Sequence, residues 1–136
     1  MTGCIFCKIA SKQIPANVVY EDKMTLAFLD IHPVNPGHTL VIPKEHAPTL
    51  LESSRESAHA VVDTVQKITP AILAAVGSPA FNLGVNTGSA AGQAVHHFHL
   101  HIMPRFDADG RELWHGRETV PGELEAVAAK IKERLE

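Results

Sequence analysis

The sequence predicts an α+β fold built on one antiparallel sheet. Short apolar runs mark five strands, and two longer amphipathic stretches mark helices, one between the third and fourth strands and one at the C-terminus. The segments that join neighbouring strands are too short for the helical crossovers that parallel strands require. Strands and helices also do not alternate throughout the chain, which favours α+β over α/β.

The five strands are predicted from apolar runs that end at turn residues. These runs are residues 18–20, 25–29, 38–42, 81–86 and 95–103. Pro36 and Gly37 break the chain before the third run, and Pro43 ends it. A short helical turn is expected over residues 4–9.

The first long helix is predicted over residues 53–76, where apolar residues recur at helical spacing. Ser53 and Glu56 fit a capping box, and Gly77 is placed to end the helix. Pro70 lies inside this pattern and predicts a kink or an early end. The C-terminal helix is predicted from Leu124, Val127, Ala128, Ile131 and Leu135.

Length and charge define a broad class for the chain. The 136 residues predict a single domain, 1–136. A formal net charge of −3 argues against a surface that binds a nucleic-acid polymer. The absence of a signal pattern and of a long apolar run predicts a cytoplasmic protein without a membrane partner. In that compartment a disulfide between the two cysteines is not expected.

Histidine is the compositional outlier, with nine in the chain and four of them between residues 96 and 101. On a strand, His97, His99 and His101 would share one face, with apolar residues on the other. The ordinary interpretation is an exposed strand that happens to carry histidines. The functional one is a site for phosphoryl or nucleotidyl transfer, with the central His99 as nucleophile. His96 has the opposite parity and should face away.

A loop of small residues precedes this run and supports the functional interpretation. Residues 86–93 form it, and their backbone N–H groups could surround a phosphate. Asp30 follows a strand, and it either starts a turn or accepts hydrogen bonds from a ribose diol. From the residues alone the turn is favoured. His38 begins a strand beside Gly37, and its ordinary interpretation is a core histidine with its hydrogen bonds satisfied.

Cys4 and Cys7 form a C-x2-C pair with three interpretations: half of a zinc site, a redox pair, or two apolar cysteines. Redox pairs usually follow a strand, and almost nothing precedes this one. A zinc site needs two further ligands, and His46 is one candidate.

Four segments of the chain resemble the histidine triad (HIT) superfamily. Residues 92–105, which contain the three alternating histidines, carry its signature, and residues 28–31 and 36–46 match further segments in the expected order. Residues 4–9 resemble the N-terminus of bacterial, zinc-containing members of the Hint branch.

The resemblance covers residues 4–106 and is loose over 107–136. It implies a five-stranded antiparallel sheet with two main helices, and a homodimer that joins two sheets into one of ten strands. It also implies a purine nucleotide-binding hydrolase that cleaves nucleoside 5′-phosphoramidates or related nucleotidyl bonds through a nucleotidyl-histidine. The alternatives are a dinucleoside polyphosphate hydrolase and a non-catalytic nucleotide-binding scaffold.

The resemblance also implies roles for individual residues. His99 would be the nucleophile, His101 would contact the phosphate and leaving group, and His97 and His38 would complete the network that orients His99. Asp30 would hold the ribose hydroxyls, which reverses the preference for a turn. The remaining nucleotide-binding residues would be Ile5, Phe6, Ile9, Phe28 and Ile31 around the base and Asn86, Gly92 and Gln93 around the phosphate.

The same resemblance implies a structural zinc ion, with no metal required for the chemistry. Its ligands would be Cys4, Cys7, His46 and His97. His97 would then not be free to act as an acid or base. The chain departs from the pattern at Ala94, where many Hint proteins have a serine that assists the leaving group. This departure predicts slower phosphoramidate cleavage without loss of nucleotide binding.

Overall fold

Five strands form one antiparallel sheet in the order β1-β2-β3-β5-β4, as expected for the α+β class. The structure is a computed structural model and describes residues 3–135. Its elements are α1 (Ile5–Ala10), β1 (Val18–Glu21), β2 (Thr25–Leu29), β3 (Thr39–Pro43), α2 (Arg55–Val76), β4 (Ala80–Gly84), β5 (Leu100–Arg105) and α3 (Glu123–Leu135). Among the described residues, none of the helices has the length and apolar character to cross a membrane.

Strand β5 lies inside the sheet and has two different faces. Leu100, Ile102 and Pro104 are buried, whereas the residues between them are only partly buried. Leu100 and Ile102 belong to the core cluster that the strands form with α2. His101 therefore lies on the opposite face, as the alternation in the sequence predicts.

The boundaries of β5 differ from the prediction of 95–103. The strand runs from Leu100 to Arg105. Residues 95–97 form a bend before it, and Phe98 N–H donates to the Ala47 carbonyl at 2.8 Å instead of to a neighbouring strand. Pro104 does not end the strand. It lies beyond the last residue that pairs with β3, which is Ile102, so its missing N–H costs no hydrogen bond on that side.

Helix α2 packs on one face of the sheet and begins two residues later than predicted. Ser54 is its N-cap and accepts from Ser57 N–H at 3.1 Å, so the predicted capping box at Ser53 is wrong by one residue. Gly77 ends the helix with φ of +69°, as predicted. The helix continues through the exposed Pro70 and does not end early.

Helix α1 covers part of the other face, which is the face that carries the histidines. Phe6 and Ile9 are buried there in a second cluster, together with Phe28, Leu40 and neighbouring strand residues. Helix α3 forms where it was predicted, but it contributes no buried residue. The site described next lies on the α1 side of the sheet.

Candidate active site and metal centre

His99 is oriented by the backbone next to it. Its Nδ1 lies 2.7 Å from the carbonyl oxygen of His97. A carbonyl can only accept, so Nδ1 carries the proton and Nε2 of the neutral ring keeps its lone pair. The ring is 8% exposed and packs edge-on against Phe6, with ring centroids 5.0 Å apart. The result is a histidine in the tautomer that a nucleophile requires.

His38 and His101 form a hydrogen-bonded chain beside His99. Val34 N–H donates to Nδ1 of His38 at 3.0 Å, which places the proton of His38 on Nε2. That Nε2–H donates to Nδ1 of His101 at 2.9 Å. His101 is therefore left with its proton on Nε2. Its ring lies 5.1 Å from that of His99, so this N–H is a donor close to His99.

Burial keeps these imidazoles neutral. It lowers the pKa of His101 to about 4, and nearby His99 and His38 act in the same direction. Burial also lowers the pKa of His38, opposed by the negative charge of Asp30. At neutral pH both rings are therefore uncharged, as the directional hydrogen-bond chain requires.

Asp30 makes the turn that the residues alone favour, and its second oxygen lies close to His38. One carboxylate oxygen accepts from His32 N–H at 2.8 Å, which closes a turn. The other lies 3.6 Å from Nε2 of His38. The side chain is partly exposed, so the carboxylate keeps room for further hydrogen bonds.

A cleft of about 780 Å³ opens beside His38 and His101. His38, His101 and Asn86 line it, and all three were identified from the sequence. Part of its wall was not: Asn82, Met103 and the segment Arg111–Trp114 also line it. No local pattern marks residues 111–114, and only the fold brings them to the histidines.

Arg105 holds that segment in place. Its guanidinium pairs with Asp109 at 2.8 and 3.0 Å and donates to Asn82 and to the Arg111 carbonyl. Asp109 also accepts from the side chain of Asn35. These contacts hold the pKa of the Asp109 carboxyl far below its usual range. The residues after β5 are thereby tied to the edge of the sheet.

Gln93 ties the loop of small residues to the chain around it. Its amide donates to the Pro48 and Val95 carbonyls at 2.7 and 3.1 Å, and it accepts from Gly88 N–H within the loop. Both of its donors are thus used on carbonyls outside the loop. Gly92 has φ of +90°, and a Cβ there would lie 3.6 Å from the Asn86 amide. Of the three residues predicted around the phosphate, Asn86 alone lines the cleft.

The residues predicted around the base are divided between the core and the surface. Phe6, Ile9 and Phe28 are buried together in the α1 cluster. Ile31 is 80% exposed, and Ile5 is also exposed. The structure therefore gathers three of the five in one apolar cluster beside His99.

The predicted metal ligands come together at the start of α1. The ligand atoms of Cys4, Cys7, His46 and His97 all lie within 4.8 Å of one another. The Cys–His contacts span 3.3–3.5 Å, and Nδ1 of His46 lies 3.2 Å from Nδ1 of His97. Around a tetrahedral zinc ion, bond lengths of ~2.3 Å to sulfur and ~2.05 Å to nitrogen imply edges of about 3.5 and 3.3 Å. The donor set and its spacing fit zinc.

The tautomer of His97 supports the same interpretation. Its Nε2 lies 2.8 Å from the carbonyl of Pro43, so Nε2 carries the proton and Nδ1 directs a lone pair at the cysteines. Burial lowers the pKa of His97, which favours the neutral, ligating form. Burial and the adjacent Cys4 raise the pKa of the Cys7 thiol, a cost that a metal ion would offset. The His97 side chain therefore faces the two cysteines, whereas its backbone carbonyl accepts the hydrogen bond from His99.

A second cluster has metal-like spacing but the wrong protonation. Asp30, His38 and His101 each offer an atom within 4.8 Å of the others. However, the bond from Val34 N–H places the His38 proton on Nε2, the atom that would face an ion. This group is a proton-bearing chain rather than a ligand set.

Fold and site together define an α+β protein that has a hydrogen-bonded group of histidines and a separate Cys2His2 group. The family model of the HIT domain matches residues 11–108. The chain is 47% identical over 106 residues to an adenylylsulfatase of Arabidopsis thaliana, covering 78% of this chain and 54% of that protein. It is 39% identical over 135 residues to an adenosine 5′-monophosphoramidase of Schizosaccharomyces pombe, covering 98% of each.

Solved structures agree over nearly the whole chain. The protein SMU.412c of Streptococcus mutans superposes with a TM-score of 0.94 at 38% identity, covering 100% of this chain and 87% of that one. A zinc-bound histidine triad family protein of Mycobacterium smegmatis superposes with a TM-score of 0.76 at 36% identity, covering 98% of each. The chain belongs to the HIT family.

Proposed function

We propose that the chain is a nucleotidyl hydrolase that cleaves nucleoside 5′-phosphoramidates through a covalent intermediate on His99. The observation that carries the proposal is the 2.7 Å hydrogen bond from His99 Nδ1–H to the His97 carbonyl, which leaves Nε2 as the nucleophile. The phosphoramidase activity named for the Schizosaccharomyces pombe relative supports it.

The reaction divides into two displacements. In the first, Nε2 of His99 attacks phosphorus, a P–N bond to histidine forms, and the P–N bond to the amine breaks with the electron pair leaving on nitrogen. The amine takes up a proton from solvent as it departs, and the water that attacks in the second displacement returns one to solvent. In the second, water attacks phosphorus, the bond to His99 breaks, and the nucleoside monophosphate leaves with the ring restored.

The neighbouring residues would stabilise and position the phosphate. His101 presents Nε2–H to the phosphate oxygens, where charge develops, and His38 fixes its tautomer. Asp30 lies close enough to His38 to accept from a ribose hydroxyl bound above it. Asn86 contributes an amide at the cleft wall. The assignment of the base to the apolar cluster around Phe6 follows from the position of that cluster beside His99.

The first test compares AMP release from adenosine 5′-phosphoramidate by the wild type and by His99→Ala. We expect turnover by the wild type, none by the variant, and retained AMP binding by both in calorimetry. A matched control is His96→Ala, an exposed neighbour that should keep wild-type turnover. Equal turnover by the wild type and His99→Ala would refute nucleotidyl transfer through His99.

Adenylyl sulfate is a second candidate substrate, favoured by Ala94. Position 94 lacks the hydroxyl that would protonate an amine, whereas sulfate leaves as a stable anion and needs no proton. The Arabidopsis relative is named an adenylylsulfatase. We expect Ala94→Ser to raise phosphoramidate turnover by about 10–100-fold and to change adenylyl sulfate turnover little. An equal effect on both substrates would contradict this explanation.

We further propose that Cys4, Cys7, His46 and His97 bind a structural zinc ion. When bound, zinc would tie α1 to the segment before β5 without entering the reaction. Metal analysis should give about one zinc per chain for the wild type and almost none for Cys7→Ser. Cys7→Ser should also lower the thermal midpoint. A zinc-free wild-type protein of unchanged stability would contradict the proposal.

A homodimer is the proposed assembly, with β4 at its interface. Strand β4 is an edge of the sheet, and Phe81 and Leu83 on its α2 side are exposed. An apolar edge strand of this kind favours pairing with a second chain. Sedimentation equilibrium should give twice the chain mass, and Leu83→Lys should shift the protein toward monomer.

A further inference from the structure

Helix α3 is amphipathic, but none of residues 3–135, the part of the chain that the structure describes, buries its apolar side. Leu124, Val127 and Ile131 lie along one stripe and are 63%, 48% and 55% exposed. The helix has 13 residues, a length at which an isolated helix is only marginally stable in water. Such a helix needs a packing partner, and the partner must come from outside this subunit.

The path of the chain points to a second copy as that partner. The tail is fixed by Asp109 to Arg105, which pairs with Ala80 of the edge strand β4. From there it runs exposed to Glu123, where α3 begins. The tail therefore leaves the subunit at the edge where the proposed dimer forms, so a second copy would bring a second α3 to the same side.

The apolar and charged residues of α3 match those of a second α3 that runs in the opposite direction. In an antiparallel pair related by a two-fold axis, Leu124 would face Leu135 of the other copy, and the small Ala128 would face the larger Ile131. The flanking Glu125 would face Lys132 of the other copy, and symmetry makes each contact occur twice.

We propose that the α3 helices of two copies of this chain pack against each other as an antiparallel pair. The helix pair extends the dimer interface beyond the sheet edge. It also fixes the far end of the tail, whose near end is anchored at Asp109, and the tail between these two points lines the cleft. This inference rests on the proposed homodimer and is independent of the proposed catalysis, so sedimentation tests the dimer separately from the helix pair.

The test is amide hydrogen exchange of α3 in the full-length protein, at concentrations above and below dimer dissociation. Two matched variants place the same substitution on opposite faces: Ala128→Glu in the apolar stripe and Ala126→Glu on the other side. We expect α3 amides of the wild-type dimer and of Ala126→Glu to exchange at least about 10-fold more slowly than those of Ala128→Glu. Dilution to monomer should remove the difference.

Charge reversal tests the antiparallel arrangement. Glu125→Lys and Lys132→Glu should each weaken α3 protection several-fold, and the double variant should restore it. Free exchange of α3 in a wild-type dimer would overturn the proposal, as would protection that survives dilution, which would mean that the helix packs on its own subunit. If both charge-reversal variants keep wild-type protection of α3 in the dimer, α3 packs on another part of the second copy, and the antiparallel pair is wrong.

Discussion

His101 should make the stability of the fold depend on pH. Burial lowers the pKa of His101 to about 4 in the folded chain, whereas a histidine in an unfolded chain has a pKa near ~6.5. Between these values the unfolded chain binds a proton that the folded chain does not, so the free energy of unfolding falls as the pH is lowered. Above this window neither state binds the proton, and below it both do.

The size of the effect follows from the two pKa values. The full difference corresponds to about 3 kcal/mol, and the partial exposure of His101 reduces the expected value to about 2 kcal/mol. Between pH 7 and pH 5, about 1–1.5 kcal/mol of that should be lost. The lowered pKa of His38 acts in the same direction.

Urea unfolding of the zinc-loaded protein at pH 7 and pH 5 measures this loss. His101→Asn keeps an acceptor for His38 Nε2–H and removes the titrating group, so its unfolding free energy should change less between the two pH values. His59→Asn, at an exposed position of α2, is the control and should behave as the wild type. If the wild type and His101→Asn lose the same stability, the inferred pKa of His101 is wrong.

Three further outcomes follow from the packing. Gly92→Ala should lower the free energy of unfolding by about 1–2 kcal/mol because of its positive φ, whereas Gly116→Ala should not; thermal denaturation of both would decide. Ile102→Ala, at a fully buried position, should lower the free energy of unfolding by about 2–5 kcal/mol. The exposed Val62→Ala should lower it by less than ~0.5 kcal/mol, and urea unfolding measures both. Asp109→Asn should speed amide exchange in the tail after β5, and unchanged exchange would show that the arginine clamp does not hold it.

The strands and helices were predictable because each depends on residues close in sequence. Alternation placed β2 and β3 within one residue of their bounds, and Gly77 marked the end of α2. The start of β5 was not predictable in this way. It depends on Ala47, which is far away in the sequence. The Ala47 carbonyl accepts a hydrogen bond from Phe98 N–H, just before β5 begins to pair with β3.

The site was predictable as a set of residues and only partly as a set of contacts. Spacing identified the three alternating histidines, and the resemblance supplied the four ligands that the fold brings together. The Gln93 amide donates to the carbonyl of Pro48, and no sequence pattern connects these two residues. The cleft wall at residues 111–114 depends on the pairing of Arg105 with Asp109, an interaction that alternation does not reveal.

His97 serves two centres with different atoms, and this has a consequence for how such proteins diverge. Its imidazole faces the cysteines, but the group that orients His99 is a peptide carbonyl, which every amino acid possesses. A lineage could therefore replace the side chain at position 97, together with Cys4 and Cys7, without losing the tautomer of His99. Under the proposed mechanism position 99 has no such freedom, so the proposed metal site can be lost by substitution while the proposed nucleophile is retained.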